Sequence, residues 1–74
     1  MSDNKVIVIN IIKENLIYDI NNECYNVAEM MIKLLRCISG NKVDKDYIIL
    51  GIDCIYLDSN KEIVKQYFKS IGVI

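Results

Sequence analysis

The sequence predicts a small α/β-type domain of the α+β class: a β-hairpin, a helix, a central strand and a C-terminal helix (ββαβα) built around one mixed sheet. Three observations lead there. Val6 to Ile12, reading VIVINII, is dense in β-branched residues, which favour pleated backbone. Tyr47 to Asp58, reading YIILGIDCIYLD, is apolar on both sides when read as a strand, as expected of a sheet interior with cover above and below. Between and after these runs, two segments carry apolar residues at helical spacing and end in glycine.

Taken in order, Val6 to Ile12 is the first strand. Lys13, Glu14 and Asn15 suit a short hairpin loop, because asparagine tolerates the left-handed conformation that closes it. Leu16 to Ile20 returns as the second strand, with Leu16, Tyr18 and Ile20 inward and Asp19 in solvent. Asn21 and Asn22 then signal a turn, with room for a short extra strand at Glu23 to Tyr25. Asn26 and Glu29 have the spacing of a capping box, so the first helix is expected from Val27 to about Ile38, with Gly40 as its C′ residue. Its apolar stripe is Val27, Ala28, Met31, Leu34, Leu35 and Ile38, and Glu29 and Lys33 are spaced for an ion pair. Asn41 to Asp46 is a charged loop into the long strand. Asp58, Ser59 and Asn60 offer an N-cap for the last helix, which buries Ile63, Val64, Tyr67, Phe68 and Ile71 opposite Lys61, Lys65 and Lys69 and stops at Gly72.

Seventy-four residues make one domain, close to the size below which a core needs staples. Hydrophobic residues are 53% of the chain, more than so small a volume can hide, so apolar surface is expected to remain for a partner or a second copy. A formal charge of −1 gives no overall field for nucleic acid or an anionic membrane. No apolar run is long enough to span a bilayer, and the polar lead-in MSDNK is unlike a secretory signal, so a cytoplasmic location is expected. Much isoleucine, asparagine and lysine, with one arginine and no proline or tryptophan, points to an AT-rich genome such as that of a low-GC bacterium or its phage.

Catalytic equipment is absent from the pattern. There is no histidine to serve as base for a cysteine or serine nucleophile, and Cys54 has only Asp53 beside it, a neighbour that raises a thiol pKa. Cys24, Cys37 and Cys54 lack metal-ligand or disulfide spacing and read as buried free thiols in a reducing compartment. Asp44 and Asp46 flank Lys45 in the loop, Asp53 lies within the strand and Asp58 at its far end, too far apart to converge on one cation. Isolated glycines form no phosphate loop, so no metal or other cofactor is implied.

The expectation is therefore a small non-enzymatic protein-binding module, homo-oligomeric and acting by surface occlusion, in the manner of a phage- or mobile-element-encoded inhibitor of a bacterial host or defence factor. Asp53, Tyr47, Tyr56, Lys61, Lys65, Lys69, Lys33 and Arg36 are its candidate partner-binding residues. The alternative is a nucleic-acid-binding or regulatory accessory protein whose Lys61, Lys65 and Lys69 stripe tracks phosphates while tyrosines stack on bases.

Overall fold

A computed structural model describes residues 3–74, so Met1 and Ser2 of the polar lead-in lie outside the described residues. The fold is all-helical. Four helices, α1 (Asp3–Asn21), α2 (Tyr25–Ile38), α3 (Lys45–Asp53) and α4 (Asp58–Ser70), pack into a globule of 32 × 23 × 19 Å. Among the described residues there is no strand, which overturns the α+β expectation, the mixed sheet and the ββαβα order. None of these helices is long and apolar enough to cross a membrane.

The expected hairpin is instead one helix. Val8, Ile11, Ile12, Asn15 and Asp19 are buried at the spacing of one helical face, while Val6, Ile7, Ile17, Tyr18 and Ile20 are exposed. Val6 to Ile12 and Leu16 to Ile20 are thus halves of a single face-and-back pattern, and Asn15 sits in mid-helix rather than in a turn. The β-branched residues cost a few tenths of a kcal/mol each in a helix. Full burial of one such side chain contributes about 1.5–3 kcal/mol, so packing overrides local preference.

The segment expected as the long strand is α3 followed by a turn. Ile48, Gly51, Ile52 and Ile55 are buried at helical spacing, whereas Tyr47, Ile49 and Leu50 stay exposed. A short run apolar at nearly every position satisfies period 2 and period 3.6 together, so the pattern does not distinguish a strand from a helix. At Gly51 a Cβ would lie 3.1 Å from both Cγ and Cδ2 of Leu34, so the missing side chain lets α3 approach α2 closely.

The helical expectations fared better. The first predicted helix is α2, ending at Ile38 as expected but starting at Tyr25. Cys24 is its N-cap and makes no side-chain capping bond, so the Asn26–Glu29 capping box does not form, and Glu23 to Tyr25 is not a strand. The last helix is α4, starting at Asp58 with Leu57 as an uncapped N-cap. Val64 and Phe68 are buried and Tyr67 is half-buried, but Ile63 and Ile71 are exposed. Lys33, expected to pair with Glu29, places Nζ 4.7 Å from the centroid of the Tyr47 ring.

Three helix ends share one device. Past α2, the Gly40 N–H donates to the Cys37 carbonyl and the Asn41 N–H to that of Arg36; past α4, Gly72 and Val73 donate to Lys69 and Phe68. Both glycines have positive φ, 104° and 80°, which a residue with a side chain resists. After α1 the same bonds run from Glu23 to Ile20 and from Cys24 to Asp19, with Glu23 at φ 58°.

α1 packs against α2 and α4, and α3 packs against the same two helices, so α1 and α3 lie diagonally across the globule. Val8, Ile12, Met31, Leu34, Ile48, Val64 and Phe68 are fully buried between them, and Val73 and Ile74 fold back onto this core.

Two measurements check this architecture. Glu23→Gly removes a left-handed side-chain penalty of about 1–2 kcal/mol and is expected to stabilise by about 1 kcal/mol, seen as a Tm rise of about 4–8 °C. Gly51→Val drives a branched side chain into buried Leu34 and is expected to cost about 1–3 kcal/mol in urea unfolding.

Candidate partner-docking groove

The base of the candidate site is polar and lies inside the apolar face of α1. Asn15 and Asp19, one helical turn apart, are both buried, Asp19 completely. The Asn15 Nδ2 donates to Asp19 Oδ2 at 3.1 Å, and Asn15 Oδ1 accepts the backbone N–H of Tyr56 at 3.1 Å. The Tyr56 hydroxyl donates to Asp19 Oδ1 at 2.7 Å, a short charge-assisted bond. The turn between α3 and α4 is thereby fastened to α1 through both the main chain and the side chain of one residue. Among the described residues no buried side-chain nitrogen or oxygen lacks a partner, so the network is complete.

Desolvation holds the Tyr56 phenol well above its ordinary pKa, and the hydrogen bond and negative charge of Asp19 push it further in the same direction. The residue as a whole is 48% exposed, but its hydroxyl turns inward onto the carboxylate while the ring remains outside. There the ring meets Tyr18 edge to face, with centroids 4.2 Å apart.

Around this pair runs an apolar groove. Ile7, Ile11, Glu14 and Tyr18 follow one ridge of α1 at spacings of four and three. The opposite wall is the start of α4 and its lead-in. One cleft of about 430 Å³ is lined by Ile11, Glu14, Asn15 and Tyr18 with Tyr56, Leu57 and Asn60. A second of about 490 Å³ lies between Asn4 and Glu62, Ile63, Gln66, Tyr67 and Ser70. The end of α1 meets the start of α4 in one cleft, and the start of α1 meets the end of α4 in the other. The helices are therefore antiparallel, and both clefts lie along their seam. Leu57 is 61% exposed, Tyr18 51% and Ile63 43%.

Of the residues proposed from sequence, only Tyr56 belongs to this groove. Asp53, Lys61 and Lys65 line a cavity of about 110 Å³ with Ile49, Ile52 and Ile74. Lys33, Arg36 and Tyr47 come together in another cleft with Asn41, Lys42, Val43 and Asp44 at the α2–α3 turn. Lys69 is exposed on α4 in neither place. The outward ridge of α3, Asp46, Leu50 and Asp53, runs between the two basic groups and separates them. Sequence reasoning missed Tyr18, Leu57, Ile63, Asn15 and Asp19. The signal for the last two was two polar residues at i, i+4 on an otherwise apolar face, legible only once Asp3–Asn21 is read as a helix.

The cysteines are free, but Cys24 is exposed and the other two are half-buried, not fully buried as expected. Burial raises the Cys37 thiol, and burial followed by Asp19 and Asp53 raises that of Cys54, so both have little thiolate at neutral pH. No group of three or more acidic, cysteine or histidine side chains suited to a metal ion occurs among the described residues.

Because the folded state retains a phenolic proton that the unfolded chain releases near pH 10, this contribution to stability is intact below about pH 10 and is lost as the pH rises further. Ultraviolet titration is expected to show one tyrosine still protonated after an exposed phenol would have ionised, and Tyr56→Phe removes that late step. Asp19→Ala, which orphans the Asn15 amide and the phenol, is expected to cost about 2–3 kcal/mol in urea unfolding and to bring the late step down.

No protein-family model, curated protein or solved structure matches this chain.

Proposed function

We propose that the chain is a small non-enzymatic protein-binding module and that the α1/α4 groove is where a larger protein is engaged and occluded. One observation carries this reading: a line of exposed aromatic and aliphatic side chains stands on a fully satisfied buried network that fixes its geometry. Aromatic anchors that are already ordered lose little freedom on binding, which favours affinity over area alone. Tyr18, Tyr56, Leu57 and Ile63 stand exposed side by side along one seam, and contiguous exposed apolar residues mark association surfaces.

A phage- or mobile-element-encoded inhibitor of a bacterial host or defence factor, acting in the cytoplasm, is the specific form of this reading. Its support is small size and AT-rich composition. Self-association, expected from the surplus of apolar surface, would use the outward side of α1, where Val6, Ile17 and Ile20 are exposed around Asn10 and Lys13. The nucleic-acid alternative is less favoured, since a continuous strand would have to cross the acidic ridge of α3 to reach both basic groups.

The test uses two variants in affinity capture from the native host. Leu57→Asn with Ile63→Gln strips apolar surface from the groove; asparagine is also a better N-cap than leucine, so the fold is expected to keep its circular dichroism and melting temperature. This variant is expected to lose the partner captured by the wild type, while Lys61→Glu with Lys65→Glu and Lys69→Glu keeps it. Capture that survives the first change and fails with the second reverses the assignment.

A further inference from the structure

We infer that the occupant of the groove is a basic amphipathic helix of a partner protein, an inference that rests on the docking reading above and specifies its ligand. The shape comes first. The two clefts lie between two antiparallel helices and together span α1 from Asn4 to Tyr18, roughly 21 Å at 1.5 Å per residue. An apolar trough of that length between two helices accepts a third helix of about 14 residues, anchored by side chains at i, i+3 or i+4, i+7 and i+11. Addition of an extended strand has no template, since the described residues contain no sheet edge.

Charge then selects among helices. Apart from the tyrosines, the polar residues that line the two clefts are Asn4, Glu14, Asn15, Asn60, Glu62, Gln66 and Ser70. The charged ones are both carboxylates, and no lysine or arginine lines either cleft. The lysines of the two helices, Lys5 and Lys13 on α1 and Lys61, Lys65 and Lys69 on α4, line neither cleft. A chain of almost balanced charge thus presents a locally acidic groove. A helix flanked by lysine or arginine is attracted to that rim, and one flanked by glutamate is repelled. The same rim disfavours the other occupants. A second copy docked on this face by a two-fold axis brings one acidic rim against another, and nucleic acid or an anionic membrane carries the same sign as the rim.

Fluorescence anisotropy with the full chain tests this using three labelled 15-residue peptides that share one leucine and isoleucine stripe. The first has lysine and arginine flanks, the second has glutamate flanks, and the third is the basic peptide with a central proline. The basic peptide is expected to bind at least about tenfold more tightly than the acidic one at low salt, with the gap narrowing as salt rises. The proline peptide is expected to bind much more weakly. Glu14→Lys with Glu62→Lys is expected to reverse the preference between the first two, and Leu57→Asn with Ile63→Gln, which leaves the charge alone, to weaken the basic peptide at least about tenfold.

Equal binding of acidic and basic peptides, undiminished binding of the proline peptide, basic binding indifferent to Leu57→Asn with Ile63→Gln, or no binding of the basic peptide overturns the inference. The docking reading fails separately, if the same groove variant retains the wild type's native partner. A variant that loses that partner while the peptides show no order of preference sinks the helix assignment and leaves the docking site standing.

Discussion

A single buried carboxylate ties the molecule together. Asp19 is sealed from solvent near the end of α1, where its main-chain carbonyl accepts the Cys24 N–H that closes the turn into α2. Its side chain accepts the Asn15 amide and the Tyr56 hydroxyl, while Asn15 takes the Tyr56 N–H. A carboxylate out of water is costly unless its oxygens are occupied, so this position is stable only when the α3–α4 turn is in place. The first helix and the last are thereby locked in one relative placement by residues far apart in the chain.

The groove is a consequence of that lock. Because Tyr56 is gripped by its hydroxyl and its backbone, its ring has one available position, beside Tyr18, and Leu57 is carried out into solvent next to it. A chain this small has too little volume to enclose all its isoleucine, and the surplus falls on the ridges that no neighbouring helix covers. On the outward side of α1 Asn10 and Lys13 break up the surplus. On the side facing α4, Ile7 and Tyr18 carry it, with Leu57 and Ile63 across the seam.

Charge is sorted with the same economy. Lys61 and Lys65 of α4 gather beside α3, Lys33, Arg36 and Lys42 gather at the α2–α3 turn, and the charged residues that line the groove are glutamates alone. A near-zero total therefore conceals surfaces of opposite sign, and recognition by this protein follows the local field rather than the sum.

Stops and stripes were legible in the sequence. Gly40 and Gly72 end their helices in left-handed turns as their positions implied, Ile38 is the last residue of α2, and Val64 and Phe68 face the core of α4. These features are local, set by the conformational freedom of glycine and by a clear periodicity of apolar against charged positions. The hairpin and the long strand were not, because in Val6–Ile12 and Tyr47–Leu57 nearly every position is apolar and no period stands out. There β-branching tilts the local preference by tenths of a kcal/mol per residue, while burial against other helices decides by kcal/mol. The groove was equally hidden: Tyr18 and Tyr56 are neighbours only because Asp19 and Asn15 hold the turn before α4, and that pairing exists only once four helices have closed around the core. Composition fixed how much apolar surface had to be left over; tertiary packing alone chose which residues carry it, because exposure is settled by what each helix leans against.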